Sequence, residues 1–290
     1  MTTADRTARA RARTREGSPQ EARPPAPEPL PYPVLDSHTH LDIVSADGDD
    51  PVGQIAAANA VGVDRLVQVG VDVASSRWGV ELANTQRAVV ATVALHPNEA
   101  PRLSDLDGAL KSIEELAEDP RVRGIGETGL DFFRTDENGL AAQERSFRAH
   151  IALAKRVGKA LVIHDRDAHA DILRVLDDEG APETVVLHCF SGDAAFAAEC
   201  CRRGYVLSFA GTVTFKNAPH LREAAALAPI GQILVETDAP YLTPMPHRGR
   251  PNASYLIPLT VRALAEARGV PLLEMCEAIS ANGERAFGPW

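Results

Sequence analysis

The sequence predicts a single (β/α)8 barrel preceded by a disordered extension, and three observations lead to this fold class. Eight short apolar runs rich in β-branched residues alternate with amphipathic segments, a pattern typical of repeated β/α units. The chain has 290 residues, and the 257 that follow residue 33 are close to the roughly 250 residues of such a barrel. The composition shows no break after residue 33, so we expect one domain over residues 34–290.

The first 33 residues differ from the rest of the chain. They contain seven of the 21 prolines and six arginines but almost no large apolar residues. Such a segment buries too little surface to offset its chain entropy, so we expect residues 1–33 to be disordered. Asp5, Glu16 and Glu21, and the lack of an apolar h-region, argue against a targeting peptide. A solvated extension is the favoured interpretation, and a basic arm that contacts nucleic acid is the alternative.

Each of the eight predicted strands is a short apolar run. The runs lie at residues 34–35, 66–69, 89–95, 122–125, 160–163, 184–187, 205–209 and 232–235. Between the fourth and fifth runs, residues 140–157 have helical periodicity, and Gly158 is placed to end that helix. An open, doubly wound sheet is the alternative fold, but no glycine-rich dinucleotide loop follows the first run.

Composition and charge exclude several functional classes. No run approaches the roughly 20 apolar residues that span a bilayer, so we expect no contact with a membrane. With 40 acidic and 30 basic residues, the net charge of −10 argues against a protein that coats nucleic acid by bulk charge, and any phosphate binding must be local. The four cysteines form no CxxC pair, which favours a reducing compartment and a cytoplasmic location.

Polar residues of metal-binding types stand where the predicted strands end. Functional residues of (β/α)8 barrels lie at the carboxyl ends of the strands. His38 and His40 are two residues apart on the first strand, so their side chains share one face. Four more candidates end the fourth, fifth, sixth and eighth strands: Glu127, His164, His188 and Asp238. Four imidazoles and two carboxylates exceed the needs of one tetrahedral zinc ion and suit two ions about 3.5–4 Å apart.

The remaining histidines and Cys189 receive less direct roles. His96 ends the third strand at the same edge of the barrel, so we expect it to contact substrate. His150, His169 and His220 fall in or beside predicted helices, where surface positions are expected. Cys189 directly follows a candidate ligand in extended chain, so its side chain points to the opposite face and a ligand role is not expected.

Six short motifs in the chain resemble those of the TatD family of metal-dependent deoxyribonucleases. They occur in the family's order, each at a predicted strand end: His38-Thr39-His40-Leu41-Asp42, Leu95-His96-Pro97, Gly126-Glu127-Thr128-Gly129-Leu130-Asp131-Phe132, Ile163-His164-Asp165-Arg166, His188-Cys189-Phe190-Ser191-Gly192 and Glu236-Thr237-Asp238-Ala239-Pro240-Tyr241-Leu242. The resemblance extends from residue 34 to the C-terminus. It implies an amidohydrolase-like barrel that hydrolyses DNA, often as a single-strand exonuclease, with magnesium or other divalent ions.

The resemblance also implies roles for individual residues. It divides the six ligands between two divalent ions: His38, His40 and Asp238 on the first, His164 and His188 on the second, and Glu127 bridging both. Asp131 would orient the rim of the site rather than bind an ion itself. Four polar residues are placed to meet substrate phosphates: Arg166, Lys216, Asn217 and Arg248. Family members often have Asn-Glu-Pro where this chain has Asn252-Ala253-Ser254, so the change affects the expected positioning of substrate.

These features predict a metal-dependent phosphodiester hydrolase that acts as an exonuclease on single-stranded DNA ends. Asp238 is the candidate proton acceptor, and Glu127 fixes the separation of the two ions, which we expect to be Mg, Mn or Zn. Four imidazoles favour zinc, manganese or nickel over magnesium. A hydrolase of amides, lactones or phosphotriesters, an aminoacyl-tRNA deacylase and a metal-containing binding protein without turnover remain alternatives. Nothing in the sequence indicates an obligate protein partner.

Overall fold

Eight parallel strands form the centre of the molecule. The computed structural model describes residues 23–46 and 48–290. The strands pair in chain order from β1 to β8, each beside the next. Their bounds are β1 Val34–Thr39, β2 Val63–Val69, β3 Val89–Val93, β4 Val122–Asp131, β5 Ala160–Arg166, β6 Val185–Leu187, β7 Val206–Phe209 and β8 Ile233–Val235. This arrangement confirms the predicted (β/α)8 barrel as a single domain.

Helices connect the strands and cover the barrel. In the described part of the chain the α-helices are α1 Leu41–Ala46, α2 Pro51–Asn59, α3 Val73–Thr85, α4 Leu106–Ala117, α5 Glu137–Val157, α6 His169–Glu179, α7 Ala194–Arg202, α8 Pro219–Leu227, α9 Ile257–Arg268 and α10 Leu272–Phe287. Every residue of β1 and of β3 is buried. Helices cover one face of these strands and the barrel interior covers the other, so β3 is apolar along most of its length, whereas β1 also buries four polar residues, Asp36 to Thr39.

The predicted runs all overlap observed strands, but β1, β2, β4 and β5 are longer than predicted. The fourth run was expected at residues 122–125, whereas β4 continues to Asp131, and β5 continues to Arg166. Gly129 pairs with His164 and Asp131 pairs with Arg166 in this extension. Most of the extra residues are polar or glycine, so a criterion based on apolar runs stops before the strands end.

Helix α5 has the predicted C-terminal end and a capped N-terminus. Gly158 adopts the left-handed conformation, with φ 62° and ψ 37°, which ends the helix as expected. The helix begins at Glu137, before the predicted residue 140, because the carboxylate of Asp136 accepts a hydrogen bond from the amide of Asn138 at 3.1 Å.

The first and last strands meet at a seam. The amide of Asp238 donates to the carbonyl of His38 at 2.9 Å, and the amide of His40 donates to the carbonyl of Ala239 at 3.0 Å. Thr39 and Ala239 form a parallel bridge just beyond β8. The seam therefore brings the His-x-His segment of β1 next to the residues that follow β8.

The extension packs on the barrel over part of its length. The prediction of disorder through residue 33 is wrong for residues 23–33, and residues 1–22 lie outside the described residues. Leu30 is only 8% exposed, and its amide donates to the carbonyl of Val61 at 3.0 Å. The hydroxyl of Tyr255 donates to the carbonyl of Pro24 at 2.7 Å. Composition did not reveal these contacts because backbone carbonyls and one leucine make most of them.

Two further expectations concern the membrane and the cysteines. Over residues 23–46 and 48–290, no helix combines the length and the apolar character that crossing a bilayer requires. All four cysteines are free thiols.

Candidate metal centre

His38, His40 and Asp238 lie together at the seam. The Nε2 atoms of the two histidines are 3.2 Å apart. Asp238 Oδ1 lies 3.4 Å from His40 Nε2 and 3.8 Å from His38 Nε2. Both imidazoles are buried. Strand β1 presents the two rings to one point, and the segment after β8 supplies a carboxylate to the same point.

Glu127 connects this group to the other candidates. Its Oε2 lies 3.5 Å from His38 Nε2, while its Oε1 lies 3.0 Å from His188 Nε2 and 2.7 Å from His164 Nδ1. The Glu127 side chain is only 5% exposed. Its two oxygens thus face different histidines, which is the arrangement that a bridging ligand needs.

All six predicted ligands are brought together, and His96 joins them. Three sets of side chains have potential ligand atoms within 4.8 Å of one another: His38, His40 and Asp238; His38, Glu127 and His188; and His96, Glu127 and His164. His96 Nε2 lies 3.2 Å from Glu127 Oε1. The sequence predicted a substrate contact for His96, and its position at the cluster was not foreseen.

The donor set of this cluster fits divalent cations. Five imidazoles and two carboxylates converge in a largely buried volume, and both group types bind zinc and related ions. Buried carboxylates are costly unless their charge is offset. The ring nitrogens of His38 and His40 point at each other and at Asp238, so a cation between them would satisfy three donors at once.

Comparison with known proteins identifies the family. A family model described as TatD related DNase matches residues 35–288. The chain belongs to this TatD family. An uncharacterized metal-dependent hydrolase TatD from Mycobacterium tuberculosis (strain H37Rv) is 48% identical over 260 residues, which cover 88% of this chain and 98% of the relative. An uncharacterized metal-dependent hydrolase YcfH from Escherichia coli K12 is 34% identical over 264 residues, covering 88% and 95%.

Solved structures agree with this assignment. The crystal structure of YJJV, a TatD homologue from Escherichia coli K12, has a TM-score of 0.82 at 26% identity, covering 89% of this chain and 98% of that chain. A TatD family hydrolase from Entamoeba histolytica has a TM-score of 0.80 at 18% identity, covering 90% and 100%, and shows the fold alone. The chain is therefore a metal-dependent hydrolase of the TatD family.

Two glycines of the TatD motif on β4 allow that strand to approach β5. A Cβ at Gly126 would lie 2.5 Å from Val162 Cβ and 2.6 Å from its carbonyl oxygen. A Cβ at Gly129 would lie 2.1 Å from the carbonyl oxygen of His164, and Gly129 has φ +136°. Only glycine fits such contacts without a shift of the backbone. Because these two residues have no side chains, β4 lies close enough to β5 for Glu127 to contact His164.

Electrostatic interactions keep the central carboxylates charged. Burial would raise the pKa of Glu127, but His96, His188 and hydrogen bonds from His164 and His188 hold that pKa well below its ordinary value. Burial likewise opposes ionisation of Asp238, and the imidazoles around it, His40 foremost, lower its pKa. Both carboxylates are thus anionic near neutral pH and attract cations.

Two further carboxylates orient the histidines. Glu236 is fully buried, lies 3.0 Å from His188 Nδ1 and accepts a hydrogen bond from the amide of Cys189 at 2.8 Å. Asp131, which was expected to orient the rim of the site, has its Oδ2 3.3 Å from His164 Nε2. The sequence analysis missed Glu236, although its position two residues before Asp238 placed both carboxylates on one face.

Asp36 supports the seam beneath the cluster. It is fully buried and accepts hydrogen bonds from the Thr237 amide at 2.9 Å, the Thr237 hydroxyl at 2.5 Å and the His38 amide at 3.2 Å. Burial raises the pKa of Asp36 to about 7, and these hydrogen bonds counteract part of that rise. Asp36 lies two residues before His38, so strand alternation was the signal that could have found it.

The predicted phosphate contacts lie at the barrel mouth, Arg166 at the end of β5 and the other three on loops. The Arg166 guanidinium carbon is 4.1 Å from the centre of the Phe133 ring, and that of Arg248 is 4.4 Å from the centre of the Phe215 ring. The other two predicted phosphate contacts, Lys216 and Asn217, directly follow Phe215 and are exposed. Within residues 23–46 and 48–290, none of the three cations forms an ion pair with a carboxylate.

The helical histidines fall in three different environments. His220 is exposed, as predicted. His150 is fully buried, so the prediction of a surface position is wrong for it: Nε2 accepts from the Leu95 amide at 3.1 Å, and Nδ1 donates to the Ser146 carbonyl at 2.6 Å. His169 is partly buried and stacks on Phe196 with ring centres 4.2 Å apart. Helix α5 has a buried side as well as an exposed one, and His150 lies on the buried side.

The loop that departs from the family pattern is tied to β8. The side-chain amide of Asn252 donates to the carbonyls of Thr237 at 2.9 Å and of Tyr241 at 2.5 Å. Ala253 is 2% exposed and packs in the core. The substitution expected to affect substrate positioning thus falls at a buried residue of the core.

Proposed function

We propose that this protein is a divalent-metal-dependent phosphodiesterase that removes nucleotides from the ends of single-stranded DNA. The observation that carries this proposal is the buried cluster in the barrel mouth, in which Glu127 faces His38 on one side and His164 and His188 on the other. Unpaired cations at the same mouth add the charge that a phosphodiester needs.

The cluster divides into two cation sites. His38, His40 and Asp238 would hold one ion, His164 and His188 the other, and Glu127 would contact both. Bound divalent ions supply Lewis acidity, which lowers the pKa of water and offsets charge on phosphoryl oxygens. The imidazole-rich donor set favours zinc or manganese, with magnesium effective only at high concentration. Asp131 fixes the orientation of the His164 imidazole, and Glu236 fixes that of the His188 imidazole.

Asp238 is the residue that accepts the proton of the attacking water. Its side chain is 17% exposed, against 5% for Glu127, so it is the more accessible of the two central carboxylates. A general base must lie within hydrogen-bond reach of the proton that it takes, and it must be anionic beforehand. The lowered pKa of Asp238 meets the second condition.

The mouth favours a flexible strand. Arg166 and Arg248 are available to phosphate oxygens, as are the exposed Lys216 and Asn217. The chain as a whole carries a net charge of −10, which repels a rigid duplex with many phosphates. A single-stranded end presents few phosphates at a time and threads into the mouth.

The test compares end-labelled single-stranded DNA with duplex DNA, circular single-stranded DNA and RNA, under magnesium, manganese and zinc. Lactone and phosphotriester substrates serve as controls. We expect release of nucleotides from linear single strands and little cleavage of circles. Cleavage of circles at the linear rate would contradict the exonuclease, and turnover confined to the control substrates would contradict the nuclease.

We further propose a cytoplasmic location. The four free cysteines suit a reducing compartment. Fractionation of cells that express the tagged protein tests this, and recovery in a membrane or exported fraction would contradict it.

A further inference from the structure

Two pairs of an arginine stacked on a phenylalanine stand at the barrel mouth. Arg166 lies over Phe133 and Arg248 lies over Phe215. Phe133 is 65% exposed, the largest exposure among the large apolar side chains in the described part of the chain. An exposed phenyl ring with one face under a guanidinium has its other face open to a planar ligand.

The first pair is tied directly to the metal cluster. Asp131 Oδ1 accepts hydrogen bonds from the amides of Phe133 at 3.0 Å and Arg134 at 2.9 Å, so its carboxylate shapes the turn that presents Phe133. The other oxygen of Asp131 lies 3.3 Å from His164 Nε2. The amide of Phe132 donates to the carbonyl of Arg166 at 3.0 Å. Phe133 and Arg166 are therefore held in fixed register with one half of the cluster.

The second pair is tied to the other half. The hydroxyl of Thr214, the residue before Phe215, accepts from the amide of Met245 at 2.8 Å, which joins the loop after β7 to the loop after β8. That second loop contains Asp238, whose carbonyl accepts from the amide of Tyr241 at 2.9 Å, and it carries Arg248. The two pairs thus connect to the cluster through different residues, His164 and Asp238.

We propose that these pairs are nucleotide subsites on the two sides of the scissile phosphate, with Phe133 stacking on a nucleobase and Arg166 contacting the phosphate of that nucleotide. Phe215 and Arg248 would form the second subsite. This inference rests on the proposed nuclease function and adds base stacking to it. Stacking on a phenyl ring accepts any base, so the enzyme reads a strand end without reading its sequence.

A purely structural role for Phe133 makes a different prediction. If the ring only supports Arg166 through the contact between the guanidinium and the ring face, the loss on truncation would be the same for any substrate, with or without bases at its ends. If the ring stacks on a base, leucine would fail as alanine does, and the loss would depend on a base at the strand end.

The experiment measures kcat and KM on three single-stranded decamers: one unmodified, one with abasic residues at the two nucleotides of each end, and one with the same number of abasic residues in the interior. The proteins are wild type, Phe133→Ala, Phe133→Leu and Leu273→Ala, the last a control because Leu273 is an exposed apolar residue of α10. A second readout follows the fluorescence of a terminal 2-aminopurine on binding to Asp238→Asn with and without Phe133→Ala.

We expect wild type to use the end-abasic decamer about tenfold less well than the interior-abasic one. Both Phe133 variants should lose about tenfold in kcat/KM on unmodified DNA, mainly through KM, and should no longer distinguish the abasic decamers. Quenching of 2-aminopurine should need Phe133, and Leu273→Ala should match wild type.

Four results would overturn the inference. If Phe133→Ala lowers kcat/KM relative to wild type by the same factor on both abasic decamers, Phe133 does not stack on a terminal base. Wild-type behaviour of Phe133→Leu would have the same meaning. Wild type that cleaves all decamers equally well would remove base stacking while the nuclease stands. Wild type that cleaves no decamer would remove the nuclease proposal and the subsites with it.

Discussion

The outer helical face and the barrel mouth use arginine in opposite ways. On the outer face, Arg148 of α5 forms ion pairs with three acidic residues, and Arg174 of α6 bonds to Glu144 and Asp171. At the mouth, Arg166 and Arg248 rest on phenyl rings instead. Paired guanidinium groups have their hydrogen bonds satisfied within the protein, whereas under the proposed function those at the mouth would bond to substrate phosphates. A net charge of −10 is therefore compatible with local positive charge at the mouth.

Buried histidines show a similar contrast. His150 lies in the core with two backbone partners, and burial lowers its pKa to about 4, so it is neutral. His188 is also buried, but Glu127 and Glu236 raise its pKa well above the ordinary value in spite of burial. The core around His150 therefore keeps its ring neutral, whereas the carboxylates beside His188 stabilise a positive charge at its ring.

The largest expected effect comes from removing the proton acceptor. Asp238→Asn keeps the shape of the side chain but removes its basicity, so kcat on a small phosphodiester should fall by about 10²- to 10⁴-fold. Thermal unfolding of the variant, measured in parallel, serves as the control for folding. A variant that retains half of the wild-type kcat would exclude Asp238 as the base.

The bridging assignment predicts a loss of metal. Elemental analysis of protein purified without chelator should find more than one equivalent in wild type and markedly less in Glu127→Gln, because the neutral amide is a weaker ligand for both ions. Lys216→Ala is the control, because its site lies outside the cluster. Equal occupancy in wild type and Glu127→Gln would remove the bridge.

His150 predicts a pH-dependent stability. Its folded pKa of about 4 lies below the ordinary 6.5, so the unfolded chain takes up the proton first as pH falls, and stability decreases from pH 7 downward until the folded pKa is passed. Between about pH 7.5 and 5 this site should cost about 2 kcal/mol of unfolding free energy.

Urea unfolding of His150→Gln should lack this share of the decrease, since glutamine still accepts from the Leu95 amide but does not titrate. His220→Gln, at an exposed position, should follow wild type. Parallel curves for His150→Gln and wild type would show that His150 does not contribute.

Truncation separates the two parts of the N-terminal extension. Deleting residues 1–22 should leave turnover of a small phosphodiester within about twofold, because none of the candidate ligands lies there. Deleting residues 1–33 should also lower the melting temperature by several degrees, because it removes the packing of Leu30 and the acceptor of Tyr255. Equal melting temperatures for the two truncations would contradict a stabilising role for residues 23–33.

The smallest effect concerns the arginine contrast itself. Arg174→Ala should lower the melting temperature by less than about 3 °C and leave KM for single-stranded DNA unchanged, since exposed ion pairs contribute little. Arg166→Ala should raise KM severalfold with no comparable loss of stability. An equal change in KM for both variants would mean that the mouth arginines have no special role.

Much of the architecture was readable because it depends on period and order. Parallel strands end at the same edge, so polar residues at successive strand ends such as His164 and His188 had to meet once eight β/α units were recognised. The alternation of side chains along a strand also predicted that His38 and His40 share one face.

The remainder depends on distances that no local pattern encodes. His96 reaches Glu127 through a loop, and the burial of His150 depends on how α5 packs against the segment after β3. Residues 23–33 are held by backbone hydrogen bonds, which composition does not reveal. Glu236 was available to strand alternation but was passed over because it stands beside the more conspicuous Asp238.

The seam between β1 and β8 makes the metal cluster depend on residues from both ends of the barrel sequence. Asp36 on β1 and Thr237 after β8 are 201 residues apart in sequence, yet they bond to each other directly beneath the cluster. During synthesis, a nascent chain already carries His164 and His188 while Asp238 is still untranslated. Because the proposed base arrives with the last strand, incomplete chains released by a ribosome would have no means to cut nucleic acid, and activity would report that translation had reached the final strand.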